Sequence, residues 1–500
     1  MTAIAGAFRV TRAVRRSVRD HWLFVLLLIA GLALRVLAQA AYRPALLYID
    51  SAKYLVGSGG TAPEGYQALL RLLDPIGGLA LVAAVQHAFG LGMAILLYAL
   101  VLRLGGPRWA AALAAAPVLL DAYQLQLEQT IMPDVLFETM IAAGLALLLW
   151  PRRTPGAGVA AGALVLGATT TVREIGGVLI VPAVVFAALA APRWRRAGLA
   201  AACFGLPVLA YMTGAYLVTG HFGLATNGPA PEYGRAAAAV DCAALKVPAD
   251  ERALCPSPAE TLALGGIDGL LHNPRSPGHT VPVPPGLTRD RLLDRFSLAT
   301  FGQQPLRVAA SVARDSIRLL ALTRDGDPEI TSIARWQFQA FYPTYPHRDT
   351  MAAFTRLARG HGSGGALRAV EPAARILRAY QLDGGYTPGP AYAVALAAGV
   401  AGALAGLGRR RTAAGELAAG CLLVTLAAVM LLVSSDAFEF SWRYQLPAVV
   451  MLPLAGALGL TAARARLRRA TPAPTATGGT GRRTRQEQTV PLRGTARLIR

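Results

Sequence analysis

Apolar residues gather in long unbroken runs, not in the alternating or one-faced patterns of soluble strands and helices. Such runs can be read at Trp22–Ala41, Ile76–Leu102, Trp109–Leu120, Val135–Trp150, Val159–Thr171, Ile175–Ala191 and Leu199–Val218. After a long polar interval come Ala391–Leu407, Leu417–Val433 and Leu446–Leu460. About ten helices follow from this pattern, several shorter than the ~20 residues a straight crossing needs. The short ones are expected to extend into polar flanks or to shelter inside the bundle. The expected fold is an all-α polytopic membrane protein with five parts. These are a basic N-terminus (1–21), a core of about seven helices (22–218), a hydrophilic insert (219–390), three last helices (391–460) and a disordered basic tail (461–500). The pattern shows no internal repeat.

Composition agrees with the pattern. Of 500 residues, 54% are hydrophobic and 15% charged, against roughly 25% charged in a soluble protein. The first apolar run is too long for a cleavable signal peptide and lacks a small-residue cleavage site. A formal charge of +21 would suggest nucleic acid in a soluble chain, but its distribution excludes that partner. Arg9/Arg12/Arg15/Arg16/Arg19, Arg103/Arg108, Arg152/Arg153, Arg193/Arg195/Arg196, Arg409/Arg410/Arg411 and Arg464/Arg466/Arg468/Arg469 fall at every second loop. The positive-inside rule makes those loops and both termini cytoplasmic. The alternate loops carry Asp50, Glu64, Asp74, Glu128, Asp134, Glu174, Asp436 and Glu439, so the acids are expected outside. Almost all the cations are Arg, and Ala and Gly are abundant. That usage suggests a bacterial plasma membrane as the location.

The insert is Pro-rich at Pro274 and Pro282–Pro285, with a candidate helix at Leu306–Leu320 and an aromatic run from Trp336 to Tyr345. Those aromatics suit the membrane interface or a small core, and less readily a glycan-stacking platform. Cys242 and Cys255 are candidates for a disulfide, which would add about 3 kcal/mol and require an oxidising compartment. Cys203 and Cys421 sit in apolar runs and read as packing residues. No metal-ligand spacing stands out, although a divalent metal is left open.

Ionisable groups in or beside spans are costly and therefore mark candidate sites. In Tyr48-Ile49-Asp50-Ser51-Ala52-Lys53-Tyr54 a helical segment would put Asp50, Lys53 and Tyr54 on one face. The plain alternative is that Asp50-Ser51 is an ordinary helix cap. Glu138 lies one turn beyond Asp134, Arg173-Glu174 forms an outer hairpin, and Arg443-Tyr444 opens the last span. Gln86-His87 and Arg35 lie within spans. Singly, each has a dull explanation, because charges at helix ends are usually solvated. Together, Asp50, Lys53, Glu128, Asp134, Arg173 and Arg443 are expected at one membrane face on different helices. That is what transfer from an anionic lipid needs.

The order of these pieces resembles the GT-C superfamily of integral-membrane glycosyltransferases, near the protein O-mannosyltransferase and aminoarabinose-transferase branch. The matching pieces are Asp50, Gly65-Tyr66, Leu127-Glu128, Pro133-Asp134, the small-residue hairpin into Val172-Arg173, and Arg443-Tyr444-Gln445-Leu446-Pro447. The likeness covers Trp22–Val218 and, loosely, the last three spans, but not the insert. The family often places an acid after the first Asp. Here Ser51 stands there, which leaves metal use and subfamily open. The resemblance implies inverting transfer from a polyprenyl-phosphate-linked sugar donor to a glycan, lipid or protein acceptor at the outer face, with no cofactor. Asp50 would be the general base. Lys53, Arg173 and Arg443 would hold the departing phosphate, and Glu128 or Asp134 would orient hydroxyls, with Tyr54, His87, Glu174 and Tyr444 as further substrate-binding candidates. Leu69, Leu70, Leu72 and Leu73 would lie on a juxtamembrane helix. The chief rival is a secondary transporter or flippase with a Glu138/Arg35/His87 proton relay. Against it stand the missing repeat and the gathering of acids at one face. A non-catalytic scaffold would explain the insert but would leave the acids without a purpose.

Overall fold

The computed structural model describes residues 19–470 apart from 152–155, 190–192, 227, 229, 325, 344–349, 363–366 and 407–411. Arg9, Arg12, Arg15, Arg16, Arg152, Arg153, Arg409, Arg410, Arg411, Tyr345 and most of the basic tail therefore lie outside the described residues. The architecture is that of an all-α membrane protein. Among the described residues the one sheet is a two-stranded pairing of Tyr42–Arg43 with Arg368–Ala369.

The core opens with α1 (Trp22–Ala41), α2 (Ser51–Val56), α3 (Gly65–Arg103), α4 (Arg108–Leu120) and α5 (Ala122–Gln129). It continues with α6 (Asp134–Leu149), α7 (Gly156–Ala168), α8 (Ile180–Leu189) and α9 (Arg193–Thr219). On α1 the large residues Trp22, Leu26, Ile29, Leu32 and Val36 recur every three or four positions and are all exposed. Phe24, Gly31, Arg35, Ala38 and Ala41 face inward. An exposed apolar stripe of that length is stable against lipid and not against water.

Where about ten spans were expected, six helices among the described residues are long and apolar enough to cross a membrane, or seven with one bent pair. The bent pair is α4 and α5, turned by 50°. The run expected at Val135–Trp150 became the 16-residue α6. The next two stay short even when counted with the 3-10 turns Thr169–Thr171 and Glu174–Leu179, as Gly156–Thr171 and Glu174–Leu189. There the three threonine hydroxyls donate to the carbonyls of Leu166, Gly167 and Ala168, in competition with helix bonding.

Helix α3 is broken at Gly77 and Gly78, just after Pro75. Gly78 adopts φ +62°, and a Cβ there would stand 2.7 Å from the His361 carbonyl oxygen. The segment before the break carries the leucines expected at the interface. Leu70 is buried and Leu72 is 64% exposed.

The insert divides in two. Helices α10 (Ala230–Ala239), α11 (Gly266–His272) and α12 (Arg289–Gln303) enclose a small core of Tyr233, Leu254, Leu270, Leu292 and Phe296. Cys242 and Cys255, thirteen residues apart, are joined by a disulfide at its edge. After α13 (Pro305–Arg318) the chain joins the main core through Trp336, Phe338 and Tyr342. It then runs through α14 (Thr350–Gly360) and α15 (Ala373–Leu382) to the last helices α16 (Gly389–Gly406), α17 (Ala413–Asp436) and α18 (Leu446–Ala470). The aromatic run grips the segment before α2. Tyr342 Oη donates to the Ala45 carbonyl at 2.8 Å, and Trp336 lies 4.7 Å, ring to ring, from Tyr48.

Candidate functional site

Asp50 precedes α2, yet its carboxylate does not cap that helix. Ser51 does the local fastening instead. Its Oγ accepts from the Tyr48 amide and donates to the Ile131 carbonyl, both at 2.8 Å. The Asp50 carboxylate is thereby left for other partners. Arg443 Nη1 donates to Asp50 Oδ2 at 3.0 Å, and Lys53 Nζ lies 3.5 Å from Oδ1.

Arg443 also reaches the other way. Its Nε is 3.0 Å from both oxygens of Asp134, in the first turn of α6, where the helix dipole favours an anion. Arg173 donates to the same Asp134 from the extended residue between the two 3-10 turns. The cluster thus draws on four separate parts of the chain. Tyr444 closes it, its ring 5.0 Å from the Arg173 guanidinium and 5.4 Å from that of Arg443. Trp336 stands 5.6 Å from Arg443 on another side. Aromatic faces beside guanidinium groups stabilise the cations without neutralising them.

The charges are unequal: Asp50 and Asp134 face Lys53, Arg173 and Arg443, two negative against three positive. Burial is graded as well. The Arg443 and Asp134 side chains are 4% and 3% exposed, while those of Asp50 and Lys53 are 32% and 35% exposed. The cluster therefore opens at the Asp50–Lys53 edge. Burial works to raise the Asp50 pKa, but Arg443 and Lys53 outweigh it and hold the carboxyl below its ordinary value. Tyr54 is buried under Lys53, 5.3 Å from its Nζ, and meets Tyr66 edge-on.

One residue assigned to this face lies elsewhere, and the substrate-binding candidate His87 lies with it. Glu128 is not an outer-loop residue; it is fully buried on α5. The bend at Asp121 turns α5 into the bundle, where Arg35 Nη2 bonds Glu128 Oε1 at 2.7 Å and His87 Nδ1 lies 2.9 Å from Oε2. Arg35 also donates to the Val118 and Leu119 carbonyls that the broken α4 leaves open. His87 is locked on its other nitrogen by Gln129 at 2.8 Å. Gln124 joins this network to Glu138 at 2.9 Å. Glu174 is exposed at the start of its 3-10 turn.

Arg335 escaped the sequence reading. It clamps Asp268 at 2.7 and 3.1 Å and approaches Tyr48 Oη at 3.3 Å. The aromatic run that it borders was the available signal. Nearby, Glu439 is buried and accepts from Thr331. Burial pushes its carboxyl up to about 7.

Compared with known proteins, the chain matches no family model, no curated protein and no solved structure.

Proposed function

We propose that the protein is an inverting, GT-C-like glycosyltransferase that moves a sugar from a polyprenyl-phosphate donor to an acceptor hydroxyl. The observation that carries this reading is the Asp50–Arg443–Asp134–Arg173 cluster, with its surplus positive charge and its one open edge at Asp50 and Lys53. In the reaction the acceptor oxygen attacks the anomeric carbon as the bond from that carbon to the phosphate oxygen breaks. The hydroxyl proton passes to Asp50, and the electron pair leaves with the lipid phosphate. Asp50 is ionised by its neighbours and so is ready to accept. It is a weak base in the ground state, but the acceptor hydroxyl becomes strongly acidic as its new bond forms.

Lys53, the partly exposed cation, meets the leaving phosphate. Arg443 and Arg173 hold the acids in place and supply a fixed positive field in a region of low dielectric constant. A phosphate leaves without a second protonating acid. Nucleotide sugars are made inside the cell, so a lipid-linked donor suits a site on the outer side of a bacterial plasma membrane. In this layout about ten helical segments place both termini in the cytoplasm.

The test uses membranes containing the protein and a radiolabelled polyprenyl-phosphate sugar pool. The expected product carries the sugar with inverted anomeric configuration. Retained configuration would sink the single-displacement mechanism, and an absence of label transfer from every lipid-linked sugar would sink the function.

One observation favours a second reading. Glu138, Arg35 and His87 do share a buried network, joined through Glu128 and Gln124. As a proton relay it would belong to a transporter, and Glu138→Gln would then abolish proton-coupled uptake in vesicles. The Arg35 guanidinium is bound to helix-end carbonyls as well as to Glu128, an arrangement that suits fastening better than relay.

A further inference from the structure

We infer that Asp268, His272 and Glu439 form a binding site for a divalent cation of the zinc type, tying the insert to the loop that carries Arg443. One donor atom from each of the three lies within 4.8 Å of the others. Two carboxylates and one imidazole make a borderline ligand set that suits zinc better than magnesium, which prefers oxygens alone. Tetrahedral ligands at about 2.1 Å from zinc are roughly 3.4 Å apart. The donors must therefore close by up to roughly 1.4 Å, and the exposed His272 ring can turn toward the carboxylates.

The scaffold is built around these side chains. Asp268 and His272 are four residues apart on α11 and so share a face. The start of α11 is fixed by Gly266 at φ +69°, where a Cβ would stand 2.1 Å from the Glu329 carbonyl oxygen. The Ile267 amide donates to that same carbonyl. Two residues further on, Thr331 donates to Glu439 Oε1. Arg335 donates to both Asp268 oxygens, each of which keeps a second lone pair. Both carboxylates are thus oriented by an outer hydrogen bond, as ligand carboxylates usually are.

Arg335 holds Asp268 from one side and makes no hydrogen bond to Glu439 or His272. Among the described residues, Thr331 is the sole hydrogen-bond donor to Glu439, and the His272 ring has none. A divalent ion there would join the two carboxylates across the seam between α11 and residues 437–445, on the side of Asp268 that Arg335 leaves open. Three protein ligands leave a fourth position for water. None of this depends on the transferase reading, because the test reads binding and not transfer.

The experiment is zinc titration by calorimetry of the full-length, tag-free protein in detergent, after chelator dialysis, with magnesium as the comparison cation. The expected result is one zinc equivalent, with affinity at least tenfold lower in His272→Ala and Glu439→Gln. His221→Ala, at an exposed histidine remote in sequence, should bind as wild type does. Because His272 is exposed and unbonded, His272→Ala should melt like wild type without metal and lose the zinc-induced rise in melting temperature. No stoichiometric zinc binding by wild type overturns the site. So does equal binding by both site variants.

Discussion

Arg35 and Arg443 are 2% and 4% exposed, and each holds a carboxylate deep in the structure, yet their surroundings differ in kind. Arg35 spends its donors on Glu128 and on the carbonyls of Gly31, Val118 and Leu119, and the network around it is sealed. The Arg443 donors go to two aspartates, one of which is one-third exposed beside an equally exposed lysine. A buried cation that closes a helix end serves the fold. A buried cation that holds acids at an open edge leaves charge available to a ligand. Burial alone does not separate the two cases; the identity of the acceptors and the presence of an open side do.

The sharpest way to break this comparison is Arg35→Met. Removing one partner of a buried pair costs roughly 3–5 kcal/mol, and here helix-end carbonyls also lose their donor. The expected outcome is a large fall in folded yield and melting temperature, with transfer per folded molecule kept. A variant that melts like wild type would show that the sealed network does not hold the fold.

Next in size is Arg443→Lys, which keeps the charge but loses the fork that spans Asp134 and Asp50. Transfer should fall by about two orders of magnitude, comparable to removing a preorganised donor. Kinetics on purified protein would check it, and full activity would remove Arg443 from the site.

A smaller effect is expected from Lys53→Met. Its pair with Asp50 is partly exposed and screened, so melting should hardly move. The donor KM should rise about tenfold, the size of one modest charge-assisted contact. A fall in kcat at constant KM would mean that Lys53 acts only in the transition state.

The smallest effect concerns pH. Asp50 has a lowered pKa in the folded protein, so its stabilising contribution is present above the ordinary carboxylate range. That contribution is lost only as pH falls through the lower, folded value. The transfer rate should accordingly lack any Asp50 limb between pH 5 and 8. A limb near 6.5 in the pH–rate profile would point to a histidine or a raised acid as the base.

The sequence shows this division only in part. Asp50, Lys53, Asp134, Arg173 and Arg443 stood out because each is a charge beside an apolar run, and the structure brings them together. Glu128 was misplaced because α5 has the polarity of a loop, while the bend at Asp121 carries all eight of its residues inside, against His87 in its expected span. Hydropathy reports whether a segment is apolar, not whether a broken helix turns inward. The same limit produced ten apolar runs where six or seven helices among the described residues are long enough to cross. Arg335 and Asp268 come from an insert without a periodic frame, so no spacing could pair them.

The most direct measurement is on Asp50→Asn, with melting temperature and sugar transfer read from the same purified sample. The account predicts melting within a few degrees of wild type and transfer lower by about 10²–10⁴-fold, the usual worth of a general base. Transfer at the wild-type rate from a folded Asp50→Asn protein would contradict it.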